Sequence, residues 1–210
     1  MVGMSRLSRL KVLLEKEVPR IESPSKELEQ YTTPAELAIA MASVPLMKGV
    51  LQDALVADLG AGTCRIALAA LLLGAAKAIA VDFDARLGPL CMGAAQRLGL
   101  SGRLAYVSSW IRPGPLREGL VDVILMNPPF GVWRRGADRE FLEYSMSLSP
   151  RMIVALVKSG NLEFHENLAK SMGYSFSFLG TYYFPIPAAM PHHRSRIKRI
   201  KVDMIELAGE

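Results

Sequence analysis

The stretch Leu-Val-Ala-Asp-Leu-Gly-Ala-Gly-Thr at residues 55–63 is the strongest indication of the fold. Its first five residues, Leu55 to Leu59, are mostly apolar and predict a short buried strand. The Ala- and Leu-rich run from Ile66 to Leu73 predicts a helix directly after it. A glycine turn between a first strand and a helix is where open α/β sheets bind nucleotides. The stretch therefore predicts a ligand site at Gly60, Gly62 and Thr63.

Predicted strands and helices alternate along most of the chain. The predicted helices are Met4–Val18, Ala35–Met47, Ile66–Leu73, Arg86–Leu98, Asp138–Ser147 and Asn161–Met172. The predicted strands are Leu55–Leu59, Ala78–Val81, Leu104–Val107, Val121–Met126, Met152–Val157, Ser175–Phe184 and Ile197–Leu207. The apolar character of the first five strands, which alternate with helices except between the third and the fourth, is typical of a parallel sheet with helices on both faces. The last two strands follow each other directly, which predicts an antiparallel edge to this seven-stranded α/β sheet.

The composition favours one globular domain over residues 1–210, since 50% of the residues are hydrophobic and 21% are charged. The longest uncharged apolar run, Ile66–Ala76, is well short of the ~20 residues that a membrane span requires. No membrane association is expected. The N-terminus lacks the pattern of a secretory signal, so we expect the chain to be cytoplasmic.

The two cysteines give no indication of a metal site or a disulfide framework. Cys64 and Cys91 are 27 positions apart, and the three histidines have no ligand spacing with them. We therefore expect neither a structural disulfide nor a bound metal.

The residues around the glycine turn favour S-adenosylmethionine over a dinucleotide. A dinucleotide fingerprint requires a third glycine at position 65, where this chain has Arg65. An acid, Asp58, instead precedes the first glycine by two residues, and a carboxylate suits a cationic, amino-bearing ligand. This disfavours an NAD-dependent oxidoreductase, and it makes Asp58 a candidate cofactor residue.

A second acid stands where a nucleoside ribose would be bound. Asp82 follows the second predicted strand, 20 residues beyond Gly62, and a carboxylate there accepts hydrogen bonds from ribose hydroxyls. Phe83 would cover one face of the adenine. Each feature alone also fits an ordinary strand–helix turn with a helix cap, but the combination favours a nucleoside cofactor.

The loop Asn127-Pro128-Pro129-Phe130 directly follows an apolar strand and is the most specific motif of the chain. An exocyclic amine on a conjugated ring is a weak nucleophile because its lone pair is delocalised. The Asn127 side-chain oxygen and the Pro128 carbonyl would accept its two hydrogens, while the prolines stiffen the loop. Phe130 would stack on a planar base, although it is also compatible with a core position.

Basic residues cluster in two places, and the net charge is +5. No acid occurs between Pro185 and Val202, a segment that contains five cations and two histidines. This pattern is typical of a nucleic-acid contact. The candidate RNA-binding residues are Arg134, Arg135, His193, Arg194, Arg196, Lys198 and Arg199.

Together these residues resemble the class I, Rossmann-like, S-adenosylmethionine-dependent amino-methyltransferases. More narrowly, the chain is similar to the methyltransferase-like protein 5 family, which methylates the exocyclic amine of one adenosine in small-subunit ribosomal RNA. The segment Leu28–Thr33 resembles a family segment whose Gln and second Thr line the cofactor site, which implicates Gln30 and Thr33. Other residues at the family's spacing are Gly131, Asp138, Phe141, Leu142, Lys158 and Ser159.

The resemblance implies further features of the chain. Residues 1–34 would form an N-terminal helix and a loop that covers the cofactor, and residues 185–201 a basic segment before the last strand. Family members work with a small zinc-binding activator that adds a strand to the sheet edge, so any zinc would belong to that partner. Two departures are Ser109, where the family has an acid for the adenine amine, and Val157, where it often has His.

Two other functions remain open at this level. A protein glutamine methyltransferase would use the same loop on a primary amide, although such enzymes more often have Tyr in place of Phe130 and an extra N-terminal domain. A non-catalytic cofactor-binding module that supports ribosome assembly would retain the glycine turn without using Asn127.

Overall fold

The computed structural model describes residues 5–22, 24–25, 29–131, 136–187 and 197–209. The helices are α1 (Arg6–Glu17), α2 (Ala35–Met47), α3 (Arg65–Leu73), α4 (Gly88–Arg97), α5 (Ala137–Ser147) and α6 (Leu162–Ser171). The strands are β1 (Leu55–Leu59), β2 (Lys77–Asp82), β3 (Leu104–Ser108), β4 (Val123–Met126), β5 (Met152–Lys158), β6 (Tyr174–Pro187) and β7 (Ile197–Gly209). They form one seven-stranded sheet in the order β3-β2-β1-β4-β5-β7-β6.

The sheet confirms the predicted mixed architecture. The first five strands pair in parallel, and β7 pairs antiparallel to both β5 and β6. The last two strands are longer than predicted because their ladder continues from Tyr174↔Gly209 to Pro187↔Ile197. The predicted helix from Arg86 begins instead with a 3-10 turn, Ala85–Leu87, which Asp84 caps by accepting the Arg86 N–H.

Both faces of the sheet are buried, which explains why the parallel strands are apolar without alternation. One face packs under α1 to α4, where Val154 and Leu156 of β5 join the core. The other face packs under α5 and α6, where Ile153 and Ala155 of the same strand are buried. In the stretches that the structure describes, no helix is both long and apolar enough to cross a membrane.

The strand order places two sequence-distant loops side by side. The chain passes from β1 to β2 on one side and later returns to β4 on the other, so β1 and β4 are neighbours with Leu59 opposite Met126. Loops that leave such a pair of parallel strands diverge and open a crevice at their carboxyl ends. The glycine turn after β1 and the Asn127 loop after β4 border this crevice.

The expectation of no disulfide is wrong: the structure joins Cys64 and Cys91. Cys64 immediately precedes α3, and Cys91 lies on α4. Packing of the two successive strand–helix units brings their Cα atoms within 5.5 Å, a distance that allows a disulfide. A sequence separation of 27 residues carries no information on this tertiary distance.

Candidate active site

A cavity opens at the carboxyl edge of the sheet between the glycine turn, the Asn127 loop and an N-terminal segment, Glu29–Thr33, that we call the strap. The residues that line it are Ile21, Glu29, Gln30, Tyr31, Gly60, Gly62, Val81, Asp82, Phe83, Ser109, Trp110, Ile111, Asn127, Pro129, Ala137, Glu140 and Phe141. Seven of the predicted site residues thus border one cavity together with Pro129 of the motif loop. They come from five separate parts of the sequence.

The glycine turn forms the floor of the cavity. Gly60 and Gly62 have φ angles of 73° and 54°, in the left-handed region that favours glycine. A Cβ on Gly60 would lie 3.2 Å from Cε1 of Phe141, so the missing side chain lets that ring pack directly against the turn. At Gly62 a Cβ would come no closer than 3.9 Å to a described residue, Ile21, so a ligand can approach the backbone there.

Asp82 links this turn to the end of β2. Its Oδ2 accepts the Gly62 N–H at 2.8 Å, and its Oδ1 accepts the Asp84 N–H at 2.9 Å. Burial raises the pKa of Asp82, although the backbone N–H donors oppose that rise. Each carboxylate oxygen keeps a second acceptor site, so the group suits the vicinal hydroxyls of a ribose.

Asp58 lies beneath the turn instead of in the cavity wall. Its carboxyl is fully buried, and Oδ2 accepts the N–H of Ala67 in α3 at 2.9 Å. Burial raises the pKa of Asp58 to about 7, with a smaller contribution from the charge of Asp82. Thr63 is also buried and does not border the cavity. The sequence pattern could not distinguish a carboxyl that contacts ligand from one that supports the helix below.

The strap closes the cavity from the N-terminal side. Nε2 of Gln30 donates to Oδ2 of Asp84 at 2.9 Å, and its Oε1 accepts the Ser25 N–H at 2.9 Å. The Arg86 guanidinium hydrogen-bonds the same Asp84 carboxylate and lowers its pKa. Gln30 therefore borders the cavity as predicted and anchors the strap to the segment after β2.

Asn127 combines one satisfied and one free polar atom. Its Nδ2 donates to Oγ1 of Thr33 at 3.0 Å. Its Oδ1 is buried and has no hydrogen-bond partner among the described residues. An unpaired buried acceptor is costly, and it indicates a donor that arrives with a ligand. Pro128 is buried behind Asn127, whereas Pro129 borders the cavity.

Phe130 occupies a core position in the structure. Its side chain is 4% exposed, and its ring packs edge-on against Phe184, with centroids 5.6 Å apart. Its backbone N–H donates to Oε2 of Glu29 at 2.7 Å. The ring therefore does not line the cavity, and the core alternative noted for this residue describes the arrangement seen here.

An aromatic pair at the cavity includes a residue that sequence reasoning did not assign. Trp110 stacks on the predicted Phe83 with ring centroids 3.8 Å apart, and the two side chains are 50% and 44% exposed. Ser109 lies beside them, donates its hydroxyl to the Trp110 carbonyl, and donates its N–H to the Asp82 carbonyl. In the sequence, the feature that could have identified this residue is its position just beyond the third predicted strand. Glu29, Tyr31 and Phe141 are further wall residues without an assigned role.

Most of the predicted RNA-binding residues lie outside the described residues: Arg134, Arg135, His193, Arg194 and Arg196. Lys198 and Arg199 belong to the start of β7, and the Arg199 side chain is exposed. Within the described part of the chain, no cluster of His, Cys, Asp and Glu side chains could hold a metal ion.

Comparisons with known proteins find relatives that cover most of the chain. No family model matches the chain. An rRNA N(6)-adenosine-methyltransferase Mettl5 of Drosophila melanogaster is 29% identical over 189 residues, which cover 89% of each chain. A METTL5 of the same description from Danio rerio is 25% identical and covers 95% of this chain and 97% of its own length. A crystal structure of a candidate RNA methyltransferase from Pyrococcus horikoshii superposes with a TM-score of 0.86 at 28% identity, over 99% of this chain and 98% of that one.

The superposition on the Pyrococcus horikoshii structure covers 99% of this chain, so it includes the cavity as well as the sheet. The chain has the Rossmann-like fold of class I methyltransferases and is similar, over nearly its whole length, to the rRNA N(6)-adenosine-methyltransferases of the METTL5 type.

Proposed function

We propose that this enzyme transfers a methyl group from S-adenosylmethionine to the exocyclic amine of an adenine in RNA, with small-subunit ribosomal RNA as the substrate. The observation that carries the proposal is the buried Asn127 Oδ1, unpaired among the described residues, in a side chain that borders the same cavity as Asp82 and the glycine turn. The names of the curated relatives, rRNA N(6)-adenosine-methyltransferases, support the choice of substrate.

The cavity suits the proposed cofactor. Asp82 would accept the ribose hydroxyls, and the open backbone at Gly60 and Gly62 would lie against the amino acid part. Phe83 and Ser109 lie beside Asp82, where an adenine bound to the same nucleoside would extend. When bound, the cofactor supplies a methyl carbon made electrophilic by the attached sulfonium.

The Asn127 loop would activate the acceptor amine. Oδ1 of Asn127 and the carbonyl of Pro128 would each accept one amine hydrogen, which concentrates the nitrogen lone pair toward the methyl carbon. As the nitrogen–carbon bond forms, the carbon–sulfur bond breaks and its electron pair stays on sulfur. The amine then releases one proton to water, so the chain needs no strong general base.

A small zinc-binding activator protein is the partner that we propose beside RNA. The support is the family resemblance together with the edge position of β3, which pairs only with β2 among the described strands. Ala105 and Ser108 of this strand are exposed. A partner strand would extend the sheet there. Ser109 donates its N–H to the Asp82 carbonyl of β2, so the N–H of the preceding Ser108 faces the open edge. Co-purification of the two proteins after co-expression, and its loss when a proline replaces Ser108, would test this edge.

The function is tested by transfer of a labelled methyl group from S-adenosylmethionine to small-subunit ribosomal RNA, with and without the activator, followed by nucleoside analysis. Labelled N(6)-methyladenosine should appear with the wild-type chain and fall at least ~100-fold in Asn127→Ala. Asn167→Ala is the matched control, because Asn167 is exposed on α6, and it should keep full activity.

Other outcomes would contradict the proposal in specific ways. Label in a glutamine-containing peptide but not in RNA would assign the chain to the protein glutamine methyltransferases. Tight binding of S-adenosylhomocysteine without transfer to either substrate would favour a non-catalytic module. RNA binding that does not weaken as salt is raised would contradict the basic segments as the RNA contact.

A further inference from the structure

We infer that Thr33 and Glu29 are positioning residues that orient the Asn127 loop for reaction. This inference deepens the proposed function and rests on it for its catalytic consequence. Its structural basis is a pair of hydrogen bonds from the strap to the loop, which connect residues 94 and 101 positions apart in the sequence.

Thr33 contacts the nitrogen end of the Asn127 amide, which leaves the oxygen end available to a substrate. Its Oγ1 accepts from Nδ2 at 3.0 Å, and the Thr33 residue is 8% exposed. An amide has one donor end and one acceptor end, so engagement of the nitrogen leaves the oxygen for another donor. The unpaired Oδ1 is the atom that an adenine amine requires. Thr33 therefore holds the side chain with that oxygen unpaired.

The Glu29 side chain holds the other end of the loop by accepting a backbone N–H of the loop. Pro128 and Pro129 have no N–H, so the Phe130 N–H is the first backbone donor that follows Asn127. Oε2 of the buried Glu29 accepts that N–H at 2.7 Å. A charged acceptor on a short bond is among the stronger hydrogen bonds in proteins. Together the two strap residues restrain the loop on both sides of the Pro128 carbonyl.

The same strap segment also contributes Gln30 and Tyr31 to the cavity wall. One short segment therefore closes the proposed cofactor site and orients the group that would hold the acceptor amine. This arrangement predicts that weakening the strap–loop bonds lowers the rate of transfer more than it lowers cofactor affinity.

Thr33→Val removes the hydroxyl at nearly constant volume, and Thr33→Ser keeps it. We expect kcat for RNA to fall about tenfold in Thr33→Val, as loss of one hydrogen bond allows, with a smaller change in the Kd for S-adenosylhomocysteine and near-normal kcat in Thr33→Ser. Glu29→Leu should behave as Thr33→Val does. Thr181→Val is the matched control, because Thr181 Oγ1 donates to Oδ1 of Asp203 and lies outside both the strap and the cavity wall.

A second readout does not depend on activity. The chain has three Asn and three Gln residues, so the Asn127 side-chain amide signal is assignable by its loss in Asn127→Ala. This signal should shift and exchange faster with water in Thr33→Val but not in Thr181→Val. An unchanged signal, or equal loss of kcat in Thr33→Val and Thr181→Val, would overturn the inference. If the wild-type chain methylates no RNA, the proposed function fails while the amide signal still decides whether Thr33 orients Asn127.

Discussion

Nη1 of Arg65 donates to the carbonyl oxygen of Thr33 at 3.2 Å, across 32 residues of sequence. Arg65 is the first residue of α3 and is 3% exposed, although it carries a charge. It also donates to Oε1 of Glu15 at 3.1 Å and to the Val18 carbonyl at 2.9 Å. The residue that breaks the dinucleotide glycine pattern therefore ties α1 and the strap to the helix that follows the glycine turn.

Arg65→Met should destabilise the chain by about 3 kcal/mol, because it removes two buried hydrogen bonds to carbonyl oxygens and the ion-pair partner of Glu15. It should also weaken binding of S-adenosylhomocysteine, since the strap loses its backbone anchor at Thr33. Urea unfolding and calorimetric titration measure the two effects. The exposed Arg117 provides the control Arg117→Met, which should change neither quantity. Equal unfolding midpoints for the two variants would contradict this role of Arg65.

Asp58 should make stability depend on pH. The unfolded carboxyl has its ordinary pKa of about 3.8, whereas burial raises the pKa of the folded carboxyl to about 7. The folded state therefore binds more protons between these values, and stability falls as pH rises from about 4 to 7, by up to a few kcal/mol, on the order that such a shift implies.

Asp58→Asn removes the titration while retaining an acceptor for the Ala67 N–H. The Tm of Asp58→Asn should therefore rise relative to the Tm of the wild-type chain as pH increases from about 4 to 7. Thermal unfolding at pH 4 to 8 measures it. Parallel pH profiles would show that the Asp58 carboxyl is ionised throughout.

Phe130→Ala should cost about 3 to 5 kcal/mol, because it empties a buried position against Phe184. Phe130→Leu keeps most of the volume and should cost less. The measurement is the free energy of unfolding in urea, with transfer activity assayed at a temperature where both variants are folded. If Phe130→Ala leaves stability unchanged, the ring does not occupy the core position described here.

Removal of the Cys64–Cys91 disulfide should destabilise the oxidised protein by about 3 kcal/mol, the value expected for a closed loop of this length. Cys91→Ala should show this loss without reductant and a much smaller one with it. Thiol titration of the unfolded wild-type chain should find no free thiol before reduction. Two reactive thiols would contradict the pairing.

Much of the architecture could be predicted from local patterns in the sequence. Apolar strands, helical spacing and the glycine turn depend on neighbouring residues, so the seven strands, their mixed arrangement and the position of the site at the strand ends were all predictable. The Asn127 loop was also recognisable, because its chemistry resides in consecutive residues.

The remaining features arise from contacts between distant segments. The ladder of β1 against β4 places the glycine turn beside the Asn127 loop, and packing of the strap selects Thr33 as the partner of Nδ2. In the folded chain, Asp58 is buried beneath the turn and Phe130 is buried in the core. Packing of the helices brings the two cysteines together. Spacing along the chain predicts which residues share a strand end, but which of them faces the cavity depends on three-dimensional packing.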